Sequence, residues 1–352
     1  MAFQTLVVHD TTGVELSYID SGAPANTPYT TIFAIHGMNF TNLVFERLLE
    51  IAPSRGVRVV AINRRPFPGS TPFTQDEVNV TITGGDEERD AQMEARGHEI
   101  GTFIATFIQR FSLPPPSDDK KTGGVCLLGW SVGALFQLAA IATADTLPEA
   151  ARSVLSSHIR SLILYGLSFS SEPGPIALGL PMPAQNWNPL VDTTVPEALR
   201  LEAFGQWVTS YFDHANVVTQ DLDSLSWVVP SLSRPPTIFG IPAGKRSAMY
   251  RLGEDAATDL PFLFFFANQI LKSYRKACYD PKISALFPQM KRSFLCGDKT
   301  AAFGVNGMWA MKDDQAVHGP KTEIVYKMIR GTNHFGHWDD PEQLMDAFLE
   351  LV

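Results

Sequence analysis

Cysteine is scarce in this 352-residue chain. The three present, Cys126, Cys278 and Cys296, are too few, and odd in number, for a disulfide framework. Cys126 and Cys296 fall in apolar runs that read as buried strands, where a reduced thiol acts as a small hydrophobe. Long apolar runs are missing as well, and none approaches the roughly 18 residues that a membrane-spanning helix needs. No long basic run occurs and the formal net charge is −9, so nucleic acid and anionic membranes are not expected partners; the acidity reads as a solubility feature. Charged residues make up 18% against 45% apolar, which excludes disorder and allows a sizeable core. No charged-then-apolar leader precedes residues 3–9, which have strand character from the start. A reduced, soluble, cytoplasmic protein is expected, in which the sequons at Asn39 and Asn79 carry no weight.

What is present is an alternation of strand-like and helix-like stretches, which predicts a mostly parallel α/β sheet. Residues 5–9 and 14–18 read as a hairpin-like start. Residues 31–35 and 57–62 are continuous apolar runs, the pattern of strands buried on both faces. Between 84 and 110, Ile100, Phe103, Ile104, Phe107 and Ile108 fall at helical spacing, and Phe111 just beyond continues it. The charged residues 86–99 before them read as solvated first turns and an outer face. Pro114-Pro115-Pro116 opens a surface connector, and residues 159–165 supply another strand. From about 167 to 287 the alternation stops, in a mainly helical insertion rich in Pro, Trp and Phe. It resumes with a strand at 292–296, a helix at 305–315, a strand at 323–329 and a final helix at 341–351. No internal repeat is found.

The chemistry centres on Gly129-Trp130-Ser131-Val132-Gly133. The pattern follows an apolar strand (125–128) and opens a helix (134–142), the context that makes a G-x-S-x-G a nucleophile elbow. The turn that lifts a serine between strand and helix strains its backbone, and side chains two residues to either side would collide with neighbouring backbone. A serine hydroxyl is a weak nucleophile at its free pKa, so Ser131 needs a base, a group to orient that base, and donors for the oxyanion. His36-Gly37-Met38-Asn39 ends a strand where backbone can face the same cleft. The oxyanion hole is therefore assigned to the N–H groups of Met38 and Val132. The base is His334, in the loop between the last strand and last helix, with His337 competing. The two histidines at i, i+3 beside Asp339 and Asp340 could suggest a metal. A metal site needs three or four convergent ligands, however, and no further His or Cys cluster supplies them, so neither metal nor cofactor is expected. His9, His98, His158, His214 and His318 read as structural.

These pieces, with Gly331-x-x-His334 followed by Asp339 and Pro341-Glu342, resemble the α/β-hydrolase superfamily over nearly the whole chain. The resemblance implies an eight-stranded, mostly parallel sheet flanked by helices, a core of residues 1–166 and 288–352, and a cap at 167–287 inserted between two strands. The family's usual ending, Gly-x-Gly-His, then an acidic residue and a Pro-Glu, places the catalytic histidine at His334 rather than His337. Residues 64–70 stand where many members carry Arg-Gly-x-Gly-x-Ser and fit it only in part. Family members often place an Asp about three residues after a Gly that ends the penultimate strand; here that position holds Thr300. Asp298, beside it, is expected to be the triad acid. Glu172, after the strand at 159–165, is the alternative, and Asp313 and Asp314 on the next helix are expected to be solvated.

The insertion is aromatic, with Met182, several prolines and few charge clusters. It predicts a pocket for a hydrophobic small molecule, with Trp130, Met38 and Gly37 adding wall beside the catalytic atoms. The run 262–266 can equally be the packed core of a cap helix. A serine hydrolase acting on a carboxylic ester, lactone or thioester through an acyl-enzyme on Ser131 is the expected function. Acyl transfer or carbon–carbon bond hydrolysis on the same triad, and a non-catalytic ligand-binding member of the fold, are the alternatives.

Overall fold

A computed structural model describes residues 3–9, 12–25, 28–119, 121–167, 180, 183–253 and 258–352. Strands β1 (Gln4–His9) and β2 (Val14–Asp20) pair antiparallel, and β2 lies antiparallel to β4 (Val57–Asn63). The rest of the sheet is parallel: β3 (Thr30–Ile35), β5 (Val125–Trp130), β6 (Ile159–Tyr165), β7 (Lys291–Gly297) and β8 (Ile324–Ile329), in the order β1-β2-β4-β3-β5-β6-β7-β8. Every residue of β3, β4, β5 and β6 is buried. Their mainly apolar sequences follow from helices covering both faces of a parallel sheet, with Arg58 and Arg160 as buried charged exceptions.

The helices preceding β6 are α1 (Glu46–Ile51), α2 (Gln75–Thr83), α3 (Asp86–Phe111), α4 (Gly133–Ala142) and α5 (Glu149–His158). Between β6 and β7 lie α6 (Glu197–Val208), α7 (Thr237–Gly240), α8 (Ala243–Met249), α9 (Asp259–Phe265), α10 (Ala267–Tyr279) and α11 (Pro281–Leu286). The chain ends with α12 (Ala302–His318), α13 (Gly336–Asp339) and α14 (Pro341–Leu351). All ten residues of α4 are buried, because α3 and α10 close over it from outside. The mostly parallel sheet is what the alternation predicts, and its eight strands between helical layers are what the resemblance implies.

Two details differ from the sequence reading. The polar stretch 75–83 is a helix, α2, started by a capping box in which Thr74 and Glu77 exchange side-chain-to-backbone hydrogen bonds. The charged residues 86–99 are not all solvated, because Arg96 is buried and, with Arg65, binds Glu77 and Glu99. Helix α10, within the segment between β6 and β7, packs against α3 and α4 of the helical layer. Among the described residues, no helix is long and apolar enough to cross a membrane.

Candidate active site

The elbow begins with strain. Ser131, directly after β5, takes φ +55, a conformation that L-residues avoid unless their surroundings enforce it. The enforcement is visible: the Ser131 N–H donates to Tyr165 O at 2.8 Å, and its carbonyl accepts the Ala134 N–H at 3.0 Å. A Cβ on Gly133 would lie 2.1 Å from Ile35 O, and one on Gly129 would lie 2.5 Å from Ala134 Cα. Neither position has room for a side chain, so the glycines allow β3 and α4 to close on the turn.

The strand-end loop at 36–39 sits against this turn. A Cβ on Gly37 would meet Ser131 Cβ at 2.9 Å and the Trp130 ring at 3.1 Å. The Met38 and Val132 N–H groups, expected as oxyanion donors, have no hydrogen-bond partner among the described residues. His36 is fully buried. Its Nε2 accepts the Arg64 N–H at 3.1 Å, so Nδ1 carries the proton and donates to Gly37 O at 3.0 Å. Burial, then the nearby Arg64 charge, holds the His36 pKa well below its usual value and keeps the ring neutral.

His334 arrives from the loop after β8. Its ring lies beside Trp130, 5.1 Å between centroids, and Trp130 donates its indole N–H to His334 O at 3.0 Å. The imidazole lies over the end of β6, where a Cβ on Gly166 would come within 3.1 Å of Nδ1 and Cε1. Burial lowers the His334 pKa to about 3, so the ring is a free base at neutral pH. The loop itself is anchored on the insertion. Asn333 Nδ2 donates to Thr209 O and Thr237 Oγ1, both at 2.8 Å, while Asp339 accepts from the Tyr211 and Thr237 hydroxyls.

No family model matches the chain, and no curated protein matches it. Solved structures do. The chain superposes over 99% of its length on 97% of a putative aryl esterase from Burkholderia cenocepacia, at TM-score 0.52 and 14% identity. A serine hydrolase involved in carbazole degradation gives TM-score 0.51 at 14% identity, over 99% of this chain and 98% of that one. An esterase from Rhodococcus sp. ECU1013 gives 0.50 at 15% identity, with both chains covered fully. The chain has the α/β-hydrolase fold.

Within this α/β-hydrolase architecture the Gly37–Met38 turn, Ser131 and the His334 ring all gather around Trp130, whereas no hydrogen bond joins Asp298 to the histidine. Asp298 Oδ1 accepts the Gly331 N–H at 2.6 Å, tying β7 to the loop that carries His334. His334 Nδ1 is buried with no partner among the described residues. The physical reason is direction: Asp298 directly follows Gly297 at the strand end and meets the near side of the loop, while Nδ1 faces Gly166. Glu172 lies outside the described residues, as does Met182. Asp313 is exposed, whereas Asp314, expected to be solvated, is buried against Arg275. Thr300, in the position where family members often carry the acid, has a buried hydroxyl without a partner among the described residues.

Trp130 is only 1% exposed, among Phe40, Phe45, Phe335 and His334, so it backs the histidine loop. Phe262 stacks on Phe136 of α4 and on Phe266, and Leu263 is buried, so these residues of the 262–266 run are packing core; Phe265 is exposed. His337, the competing base, is buried among Phe45, Trp130, Tyr165 and Phe335, with Nδ1 3.4 Å from Tyr165 Oη. Among the described residues no three His, Cys, Asp or Glu side chains gather as a metal-binding group. Sequence reasoning missed Arg64 and its buried partner Asp259, 195 positions apart. The Arg64-Arg65-Pro66 stretch, a partial motif match, was the one signal pointing toward them.

Proposed function

We propose that this protein is a serine hydrolase that cleaves a carboxylic ester, lactone or thioester of a hydrophobic small molecule. Ser131 Oγ attacks the acyl carbonyl and His334 takes its proton. The Met38 and Val132 N–H groups receive the oxyanion, and His334 returns the proton to the leaving group before water releases the acyl chain. The observation that carries this reading is Ser131 at φ +55, on a turn closed by Gly129 and Gly133 and pressed against Gly37. A fold expends strain at one residue where function needs that side chain presented. Similar structures described as an aryl esterase, an esterase and a serine hydrolase support the same chemistry.

The insertion at 167–287 acts in this reading as the cap. It carries a cavity of about 650 Å³ lined by apolar Ile238, Phe239, Tyr250 and Leu252 and by polar Glu202, Gln206, Arg246, Ser247 and Arg251. Tyr250 lies 4.6 Å from Phe40, which lies 5.6 Å from Trp130. The apolar part of this lining suits a hydrophobic substrate body. Ser131 is 5% exposed, and this exclusion of water also suits transfer of the acyl group to an alcohol or amine.

His334 Nδ1, without a partner among the described residues, favours a second reading, a ligand-binding protein on this fold without turnover. A fluorophosphonate probe separates the two. The hydrolase is labelled at Ser131 and turns over p-nitrophenyl esters with an optimum in acyl length; a folded sample that takes no label belongs to the second reading.

A further inference from the structure

The Met38 N–H belongs to the same planar peptide as the Gly37 carbonyl. In a trans peptide the two point in opposite directions, so whatever grips the carbonyl aims the N–H. Two donors grip it: Arg64 Nη2 at 3.1 Å and His36 Nδ1 at 3.0 Å. Arg64 Nε also holds the preceding carbonyl, His36 O, at 3.2 Å. The guanidinium is itself held by Asp259 at the start of α9, through Nη1 at 3.0 Å and Nη2 at 2.9 Å, with both side chains almost wholly buried. The planar fork fits the carboxylate in two parallel bonds, which fixes direction as well as position.

Asp259 reaches the far side of Met38 as well. Its Oδ2 accepts the Asn39 N–H at 3.2 Å, fixing the next peptide. Asn39 takes φ +59; its carbonyl accepts the Arg251 N–H at 2.7 Å and its Nδ2 donates to Arg251 O at 2.8 Å. The peptides before and after Met38 are therefore both fixed by a carboxylate that comes from the insertion.

We infer that Asp259 and Arg64 are positioning residues for the oxyanion donor: the insertion's carboxylate, acting through Arg64, aims the Gly37–Met38 peptide so that its N–H faces the oxygen of an acyl group on Ser131. Seating the insertion and completing the oxyanion hole are then one event. The inference rests on Ser131 being the nucleophile. Uncharging Asp259 leaves the guanidinium without its counterion and frees the peptide to turn its N–H away.

The experiment compares wild type with Asp259→Asn and with the double variant Arg64→Met/Asp259→Leu. The double variant removes both charges together and so strands neither in the interior. Each folded variant is expected to lose about 10²–10³-fold in kcat, the usual cost of one oxyanion donor, with KM little changed. Affinity for a trifluoromethyl ketone carrying the preferred acyl chain, which forms an oxyanion on Ser131, falls by the same factor. Affinity for the corresponding methyl ether, which cannot form one, stays constant; a merely structural lesion would weaken both. A folded variant with near wild-type kcat and undiminished trifluoromethyl ketone affinity overturns the inference. Fluorophosphonate labelling of wild-type Ser131 keeps the two failures apart: no label sinks the hydrolase reading, whereas labelled wild type with unaffected variants sinks only this one.

Discussion

Trp130 donates its indole N–H to the carbonyl of His334 at 3.0 Å, so the residue before the proposed nucleophile holds the backbone of the proposed base. The bond joins positions 204 apart in sequence. Trp130→Phe keeps the ring and removes the donor, leaving a buried carbonyl unsatisfied at a cost of about 1–3 kcal/mol. Denaturant unfolding should show that loss. Steady-state kinetics should show kcat falling more than KM rises, because a displacement of about 1 Å at a catalytic group costs up to about 10²-fold in rate. Unchanged kcat would mean the bond is structural only.

Ser131→Ala and His334→Ala should each lower ester turnover by orders of magnitude. The double variant should be no slower than the singles, since nucleophile and base act as a unit. Additive losses would separate the two residues. His337→Ala, by contrast, should retain fluorophosphonate labelling of Ser131.

The orienting carboxylate is decided by a pair of substitutions. If Asp298 turns toward His334 in the acylation complex, Asp298→Asn lowers kcat by orders of magnitude while Glu172→Gln does not. The reverse result assigns the acid to Glu172, and two near-normal variants leave the histidine working as a dyad with the serine. The bond from Gly331 N–H to Asp298 makes a separate forecast: Asp298→Ala lowers thermal stability whatever its effect on rate.

Acid pH should destabilise the fold. His36, His334 and His337 all have pKa values pushed down by burial, His334 to about 3. Once unfolded, each titrates near its usual value. Between roughly pH 6.5 and 3 the unfolded chain therefore binds more protons than the native one, and stability rises with pH, by up to about 1.4 kcal/mol per pH unit for each histidine. Thermal midpoints measured from pH 7 to pH 4 should fall steeply. His337→Phe, which removes one of the three from an aromatic cage, should reduce that slope. A flat profile would contradict the burial of these rings.

The elbow was legible because its sequence cost is local. Beside Ser131 at φ +55, approaches of 2.1 and 2.5 Å leave glycine as the residue for positions 133 and 129. The central strands were legible because burial on both faces leaves mostly apolar residues, with few polar ones such as Arg58 and Ser161 among them. Helix α2 went unread although Thr74 and Glu77 carried its start signal, because a mostly polar helix offers little apolar periodicity. Arg96 and Glu99 read as solvated because charge alone does not show that Arg65 and Glu77 arrive from elsewhere to pair with them. The Arg64–Asp259 pair is invisible for the same reason: pairing across 195 positions is decided by the fold, and either residue alone reads as an ordinary surface charge.

The anchors of Asn333 and Asp339 on Thr209, Tyr211 and Thr237 bear on how this protein can be re-engineered. A substrate-binding segment grafted from another enzyme of the same fold would bring neither the Tyr211 hydroxyl that Asp339 expects nor the Thr209 carbonyl that Asn333 uses. Such a chimera would begin with an unmoored histidine loop, however well its new pocket suited the ligand. Specificity in this scaffold is better altered side chain by side chain, around anchors left in place.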